Sequence, residues 1–182
     1  NYGVSSVSGS SNVLEFLGVK FTSDISKIQK QLDAANITFL HAPLFHTSMK
    51  HVANVRKQLQ VKTIFNLLGP IVNPSKPTHL LAGVCDGHTG ELYKQVLTKS
   101  GMQFSVVHSM DGYDEVSLTG DTKLFSTART QTLAPTSFNL QKLKQEDIYG
   151  GNTVESNAKI FLNILKGKGT DAQNSVVIAN AG

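Results

Sequence analysis

Arg56 is a charged side chain on the side of a predicted helix that should be apolar. Helical spacing from Met49 places Met49, Val52 and Leu59 on one stripe, and Arg56 falls within that stripe. A guanidinium keeps its charge and is costly to bury without a partner. Arg56 therefore meets a buried acid, extends from a packed face into solvent, or points into a cleft that receives an anion.

Asp114 and Glu115 are adjacent acids just beyond a predicted strand at 104–108. Hard divalent cations bind carboxylate oxygens, and Mg²⁺ usually takes one or two from protein and the rest from water and substrate phosphates. The pair is a candidate Mg²⁺ site, and the alternative is two solvated acids in a turn. His46 and His108 are candidate acid–base groups, or histidines that only form hydrogen bonds. The sequence carries no zinc-spaced His/Cys set, no nucleophile elbow and no Walker-type loop.

The first twelve residues are almost all small and polar, and they lead into a short predicted helix. A loop of serine and glycine before a helix offers backbone N–H groups and hydroxyls to an anion. Taken alone, the same composition is more typical of a flexible linker. The sequence at this point leaves both interpretations open.

Alternating helices and strands position these residues. Helices are predicted at 13–17, at 25–32 behind a cap at Asp24, at 49–59, from Thr89 to a stop at Gly101, and at 153–165. Strands are predicted at 37–40, 80–84 and 104–108, with an apolar segment at 61–67, a hairpin within 113–134 and a further element from 175. Short connections between such elements favour a single α/β domain over 1–182 with a central, largely parallel sheet flanked by helices. Ligands bind beyond the carboxyl ends of strands in these folds, which makes the loops 41–46, 66–74 and 108–115 candidates.

Composition excludes several classes of protein. Hydrophobic content is 40% and charged content 16%, which is typical of a globular chain. The formal net charge of +4 suits an anionic small molecule, and the lack of a long Lys/Arg run weighs against nucleic acid. The single cysteine excludes an internal disulfide and favours the cytoplasm. No apolar run is long enough to span a membrane, and the first residues do not resemble a signal peptide. The chain begins without methionine and is expected to be a piece of a longer protein.

Several longer segments occur in an order typical of one known family. They are His46-Thr-Ser-Met-Lys-His-Val-Ala-Asn-Val-Arg56, Thr63-Ile-Phe-Asn-Leu-Leu-Gly-Pro-Ile-Val-Asn-Pro74, Val107-His-Ser-Met-Asp-Gly-Tyr-Asp-Glu-Val-Ser117, the stretch 1–12, and Gly150-Gly151 with Glu155-Ser-Asn157-Ala. Together they resemble the anthranilate phosphoribosyltransferase family across essentially all 182 residues.

The resemblance implies a catalytic domain of the nucleoside phosphorylase/phosphoribosyltransferase type. It also implies an enzyme, a pentosyltransferase of tryptophan biosynthesis. In the family's reaction, the amine of anthranilate displaces pyrophosphate from phosphoribosyl pyrophosphate, and Mg²⁺ holds the pyrophosphate. By motif position, Asn1 and Arg56 would contact anthranilate, and Asp114 and Glu115 would bind Mg²⁺. The residues that would line the phosphoribosyl pyrophosphate site are Asn1, Ser5, Ser6 and Ser10.

The family also has parts that these 182 residues do not contain. These are a helical N-terminal domain and a glycine-rich phosphate loop, and the helical domain forms the family's homodimer contact. Backbone donors to a charged partner contribute roughly 1–3 kcal/mol each. The 182-residue chain alone is therefore expected to turn over slowly or not at all, and its oligomeric state is left open.

Two alternatives remain at this stage. The first is a paralogue of the same fold that binds nucleic acid without transferase activity, suggested by the +4 charge and by Tyr2 and Val7 where the family carries positive charge. The second is a nucleoside phosphorylase, which is disfavoured because the segment 66–74 fits the transferase family better. A membrane partner is not expected.

Overall fold

The computed structural model describes residues 8–46 and 67–181. The helices there are α1 (Ser10–Phe16), α2 (Ile25–Ala35), α3 (Ala42–Phe45), α4 (Gly87–Ser100), α5 (Val154–Leu165) and α6 (Asp171–Ala181), with 3-10 turns at Pro135–Phe138 and Gln145–Ile148. The strands are β1 (His79–Gly83), β2 (Gln103–Ser109), β3 (Thr122–Ser126) and β4 (Thr130–Leu133). None of the helices in these two ranges combines the length and the apolar character needed to cross a membrane.

The four strands form one sheet in the order β1-β2-β3-β4. β1 and β2 are parallel and are joined through α4, whereas β2–β3 and β3–β4 are antiparallel. The predicted α/β class is confirmed. Within the described residues, however, parallel pairing is limited to β1 and β2, so this sheet is mixed rather than largely parallel. The reason is the hairpin of β3 and β4, because two antiparallel strands need only a short turn and no crossover helix.

Short-range side-chain bonds explain where the helices begin. The Asp24 carboxylate accepts the Ser26 amide at 2.9 Å, which confirms the predicted cap of α2. The start predicted for α4 at Thr89 is wrong by two residues. Asp86 is the cap, and its carboxylate accepts both the amide of Thr89 at 2.8 Å and its hydroxyl at 2.9 Å.

The strand predicted at 37–40 is wrong. These residues are irregular, and Ile37 and Phe39 remain exposed. A short apolar run indicates a strand only if a neighbouring strand is available to pair with it. Here the local contact is aromatic instead, since Phe21 packs edge-on against Phe39 and stacks on His41 with ring centroids 4.4 Å apart.

The core lies between α4 and the sheet. Its buried members are Ala82, Val84, Tyr93, Leu97, Phe104, Val106 and Phe125. Gly90 is needed on the inner face of α4, because a Cβ there would lie 2.3 Å from the ring of Phe125. Of the apolar residues that mark α4 in the sequence, Leu97 is fully buried, while Leu92 and Val96 are partly exposed. Tyr93 takes the buried position, and its hydroxyl donates to the carbonyl of Leu67.

Candidate functional site

The parallel strands β1 and β2 end at the same edge of the sheet. The pairing continues one residue further, since the amide of Val84 donates to the carbonyl of Val107 at 2.9 Å. The loop 84–86 follows β1 and the loop 110–121 follows β2, so both lie at this carboxyl edge. This is the place where α/β folds bind ligands, and the acid pair follows β2 there.

Asp114 lies directly against the end of β1. A Cβ at Gly83 would lie 1.7 Å from the Asp114 carbonyl oxygen and 2.7 Å from its carbonyl carbon, so only glycine fits beneath this turn. Asp114 and Glu115 are both exposed, and their carboxylates are therefore accessible to solutes at this edge. Both residues lie beyond the end of β2, and their role as Mg²⁺ ligands stays a prediction.

Ser109, the last residue of β2, organises the turn that carries the acids. Its hydroxyl donates to the carbonyl of Glu115 at 2.5 Å and accepts the amide of Ser117 at 3.1 Å. Its backbone amide donates to the carbonyl of Tyr113 at 2.9 Å, and Gly112 adopts a φ of 100° that favours glycine. Ser109 is fully buried. Its role is not visible in the sequence, because a serine at the end of a strand carries no distinguishing pattern.

Asp111, an acid of this loop that precedes the pair, forms hydrogen bonds within the loop. Its carboxylate accepts the hydroxyl of Ser117 at 3.3 Å and the hydroxyl of Thr119. These bonds tie the start of the loop to its later part. Asp111 is exposed too, but its carboxylate is engaged with protein hydroxyls, whereas Asp114 and Glu115 form an adjacent pair of exposed acids at the same edge.

The electrostatics of the pair favour a cation. Partial burial raises the pKa of the Glu115 carboxyl above its ordinary value, and the neighbouring negative charge of Asp114 raises it further. A divalent cation bound by these carboxylates would offset that repulsion. In residues 8–46 and 67–181, no three His, Cys, Asp or Glu side chains are grouped to hold a metal. Mg²⁺ does not need such a cage, so two exposed carboxylates fit a site completed by water and phosphate oxygens.

Two histidines of the candidate loops, His41 and His108, have structural partners for their rings. His108 is buried, and its Nδ1 lies 3.2 Å from the carbonyl of Val84, which links the ends of β1 and β2. His41 stacks on Phe21, and burial lowers its pKa. His46 follows α3, and its amide donates to the carbonyl of Ala42 at 2.9 Å. An acid–base role for His46 or His108 stays a prediction.

Only part of the predicted substrate site lies within the described residues. Ser10 is the exposed first residue of α1, and α1 packs against α5. The remaining predicted contacts to anthranilate and phosphoribosyl pyrophosphate, namely Asn1, Ser5, Ser6 and Arg56, lie outside the described residues. So do the predicted helix at 49–59 and most of the apolar segment at 61–67.

Two asparagines of the last helices bind the loops, and sequence reasoning assigned neither a role. The amide nitrogen of Asn157 on α5 donates to the hydroxyl of Ser8 at 2.8 Å, and its oxygen accepts the amide of Gly151 at 2.6 Å. Asn180 on α6 bonds the backbone of Val116, next to the acid pair. A polar residue on a helix shows no such partner in its spacing, and only the packing of the helix reveals it.

Known proteins are similar to this chain in sequence and in fold. The anthranilate phosphoribosyltransferase of Christiangramia forsetii is 54% identical over all 182 residues, which correspond to 55% of its own length. The crystal structure of the anthranilate phosphoribosyltransferase of Thermus thermophilus superposes with a TM-score of 0.88 at 33% identity, over the whole of this chain and 55% of that one. The Saccharomyces cerevisiae enzyme, solved in complex with PRPP and Mg, shares the fold at 24% identity with a TM-score of 0.79, over 98% of this chain and 58% of that one.

These relatives confirm the resemblance seen in the motifs. The chain spans about 55% of the length of the curated relative described above. A family model described as the a/b domain of a glycosyl transferase family matches residues 1–182. The chain therefore belongs to this glycosyl transferase family and corresponds to its α/β domain.

Proposed function

We propose that the protein containing this chain transfers the phosphoribosyl group of phosphoribosyl pyrophosphate to the amine of anthranilate, a step of tryptophan biosynthesis. The observation that carries the proposal is the exposed pair Asp114 and Glu115, held at the carboxyl edge of the sheet by Gly83 and Ser109. The names of the Christiangramia and Thermus relatives supply the substrate class.

The acid pair would hold Mg²⁺ against the leaving pyrophosphate. The ion, when bound, neutralises charge on the pyrophosphate and so stabilises the departing group. The chain's own donor set supports Mg²⁺, because hard carboxylate oxygens together with the phosphate oxygens of the substrate match the ion's preference. Ser109 and Gly83 contribute by keeping the backbone of both acids in one place, so that little reorganisation is needed when the substrate binds.

The reaction itself requires positioning more than covalent chemistry by the protein. A bond forms between the anthranilate nitrogen and C1 of the ribose, the bond from C1 to the pyrophosphate oxygen breaks, and the nitrogen passes a proton to water or to the released pyrophosphate. The transition state resembles an oxocarbenium ion, so the main contributions are orientation of the two substrates and neutralisation of the leaving group.

The substrate contacts are proposed from the motifs and from the chemistry of the side chains. A planar guanidinium forms two parallel hydrogen bonds with a carboxylate, which suits Arg56 to anthranilate. Asn1 would contact both substrates, and Ser5, Ser6 and Ser10 would donate hydroxyl groups to phosphoribosyl pyrophosphate. A homodimer and a cytoplasmic location also stay predictions for the full-length protein.

The proposal is tested with the full-length protein that contains these residues. Anthranilate, phosphoribosyl pyrophosphate and Mg²⁺ should give phosphoribosyl anthranilate and pyrophosphate in equal amounts, and a chelator should stop both. Benzoate, which lacks the amine, is the matched control and should release no pyrophosphate. Absence of the product would overturn the proposal. Steeply salt-dependent binding to DNA in that case would favour the nucleic-acid-binding alternative instead.

A further inference from the structure

Asn180 pairs with both backbone groups of Val116. Its Oδ1 accepts the Val116 amide at 2.9 Å, and its Nδ2 donates to the Val116 carbonyl at 2.9 Å. The side-chain amide thus takes the place that a neighbouring strand would occupy. The two residues are 64 positions apart in sequence, and Val116 immediately follows Glu115.

The chemistry of this contact requires an asparagine. The second hydrogen of Nδ2 donates to the carbonyl of Val176 at 2.9 Å, one turn earlier on α6. Both N–H groups and the oxygen of the amide are therefore in use. Val116 is buried, and buried backbone groups that lose their partners are costly.

The contact completes a three-sided support for the acid pair. At the end of β1, the Asp114 carbonyl packs closely against Gly83. At the end of β2, the Ser109 hydroxyl donates a hydrogen bond to the Glu115 carbonyl. From the opposite end of the turn, α6 holds the next residue through Asn180. Three separate elements thus act on three consecutive residues, 114, 115 and 116, and two of those residues carry the carboxylates.

We propose that Asn180 is a positioning residue for the cation site formed by Asp114 and Glu115. Asn180 acts through the backbone of Val116, so that the packing of α6 sets the direction of the two carboxylates. The inference rests on the proposed function in so far as the acid pair binds Mg²⁺. It goes beyond that function because it assigns the last described helix a role in metal affinity.

Two variants of the full-length protein test the inference. Asn180→Leu keeps the branching and the number of side-chain heavy atoms but removes all three hydrogen bonds, and Asn180→Ala also removes the packing. Loss of a partner that orients a metal ligand typically lowers metal affinity by about 10–100-fold. Asn174→Ala is the matched control, because Asn174 is on the same helix and donates to the carbonyl of Gly169 at 3.1 Å, in the turn before α6 rather than in the loop of the acids.

Two measurements separate positioning from a purely structural role. Affinity for Mn²⁺ in the presence of phosphoribosyl pyrophosphate should fall for both Asn180 variants and remain unchanged for the control. Amide hydrogen exchange should increase in residues 110–118 for the Asn180 variants. Faster exchange with unchanged Mn²⁺ affinity would overturn the inference, as would unchanged exchange. If Asn180→Ala does not fold, Asn180→Leu decides the outcome.

The proposed function can fail independently of this inference. A wild-type protein that forms no phosphoribosyl anthranilate would refute the proposed reaction, while the Mn²⁺ and exchange measurements would still decide the role of Asn180. In an active enzyme, a positioning role predicts a higher Mg²⁺ requirement for Asn180→Leu, and excess Mg²⁺ should restore a large part of the lost rate.

Discussion

Replacement of Gly83 by alanine is the sharpest test of how the acid pair is placed. Gly83 is the last residue of β1, and an added Cβ would lie 1.7 Å from the carbonyl oxygen of Asp114. Real Cβ contacts essentially never fall below 3.0 Å, so one of the two groups must move by about the difference of 1.3 Å. Since β1 is anchored by its pairing with β2, the turn that carries Asp114 is the part expected to move.

The expected loss follows from this displacement. A shift of about 1 Å in a catalytic group lowers the rate by roughly 100-fold, and kcat/KM for Gly83→Ala should fall by that order. Stability should fall by about 1–3 kcal/mol, as for other substitutions that insert atoms into a filled space. Most of the effect should appear as a higher Mg²⁺ requirement, because the displaced residue is one of the two proposed ligands.

Gly87→Ala is the matched control for this substitution. Gly87 lies at the same edge, at the start of α4, and its added Cβ would meet only the ring of His108 at 3.9 Å, an ordinary contact. Steady-state kinetics across a Mg²⁺ series, together with urea unfolding, should separate the two variants clearly. Wild-type kinetics for Gly83→Ala would refute the claim that the end of β1 positions the acids. An equal loss of kcat/KM in Gly87→Ala would show that activity responds to any methyl group added at this edge.

Three further substitutions address other parts of the structure. Gly90→Ala would place a Cβ 2.3 Å from the fully buried ring of Phe125, and urea unfolding should show a loss of about 1–3 kcal/mol with kcat retained. Unaltered stability would count against the packing of α4. Asp114→Asn should shift the Mg²⁺ dependence of the full-length enzyme, and an identical Mg²⁺ titration would remove this residue from the site. Arg56→Ala should raise the KM for anthranilate strongly and leave that for phosphoribosyl pyrophosphate unchanged. An unchanged anthranilate KM would contradict the proposed carboxylate contact.

Features that depend on nearby residues were predictable from the sequence. The cap of α2 at Asp24 uses donors two and three residues away, and Thr153 caps α5 by the same type of short-range bond. The strand β2 and the hairpin within 113–134 were likewise visible in the pattern of apolar and Thr/Ser residues. Ordered motifs were enough to indicate the family and to single out Asp114 and Glu115.

Other features depend on which distant segments meet. The run at 37–40 has the composition of a strand but no sheet position in the described structure, and the direction of β3 follows from pairing with β2 rather than from its own residues. At the site, Asp114 rests on Gly83, 31 residues earlier, and Val116 pairs with Asn180, 64 residues later. The sequence does not show which distant residue a given glycine or asparagine contacts. The docking of β1 and α6 around one turn selects a single partner for each, and through these contacts the fold determines where the two carboxylates lie.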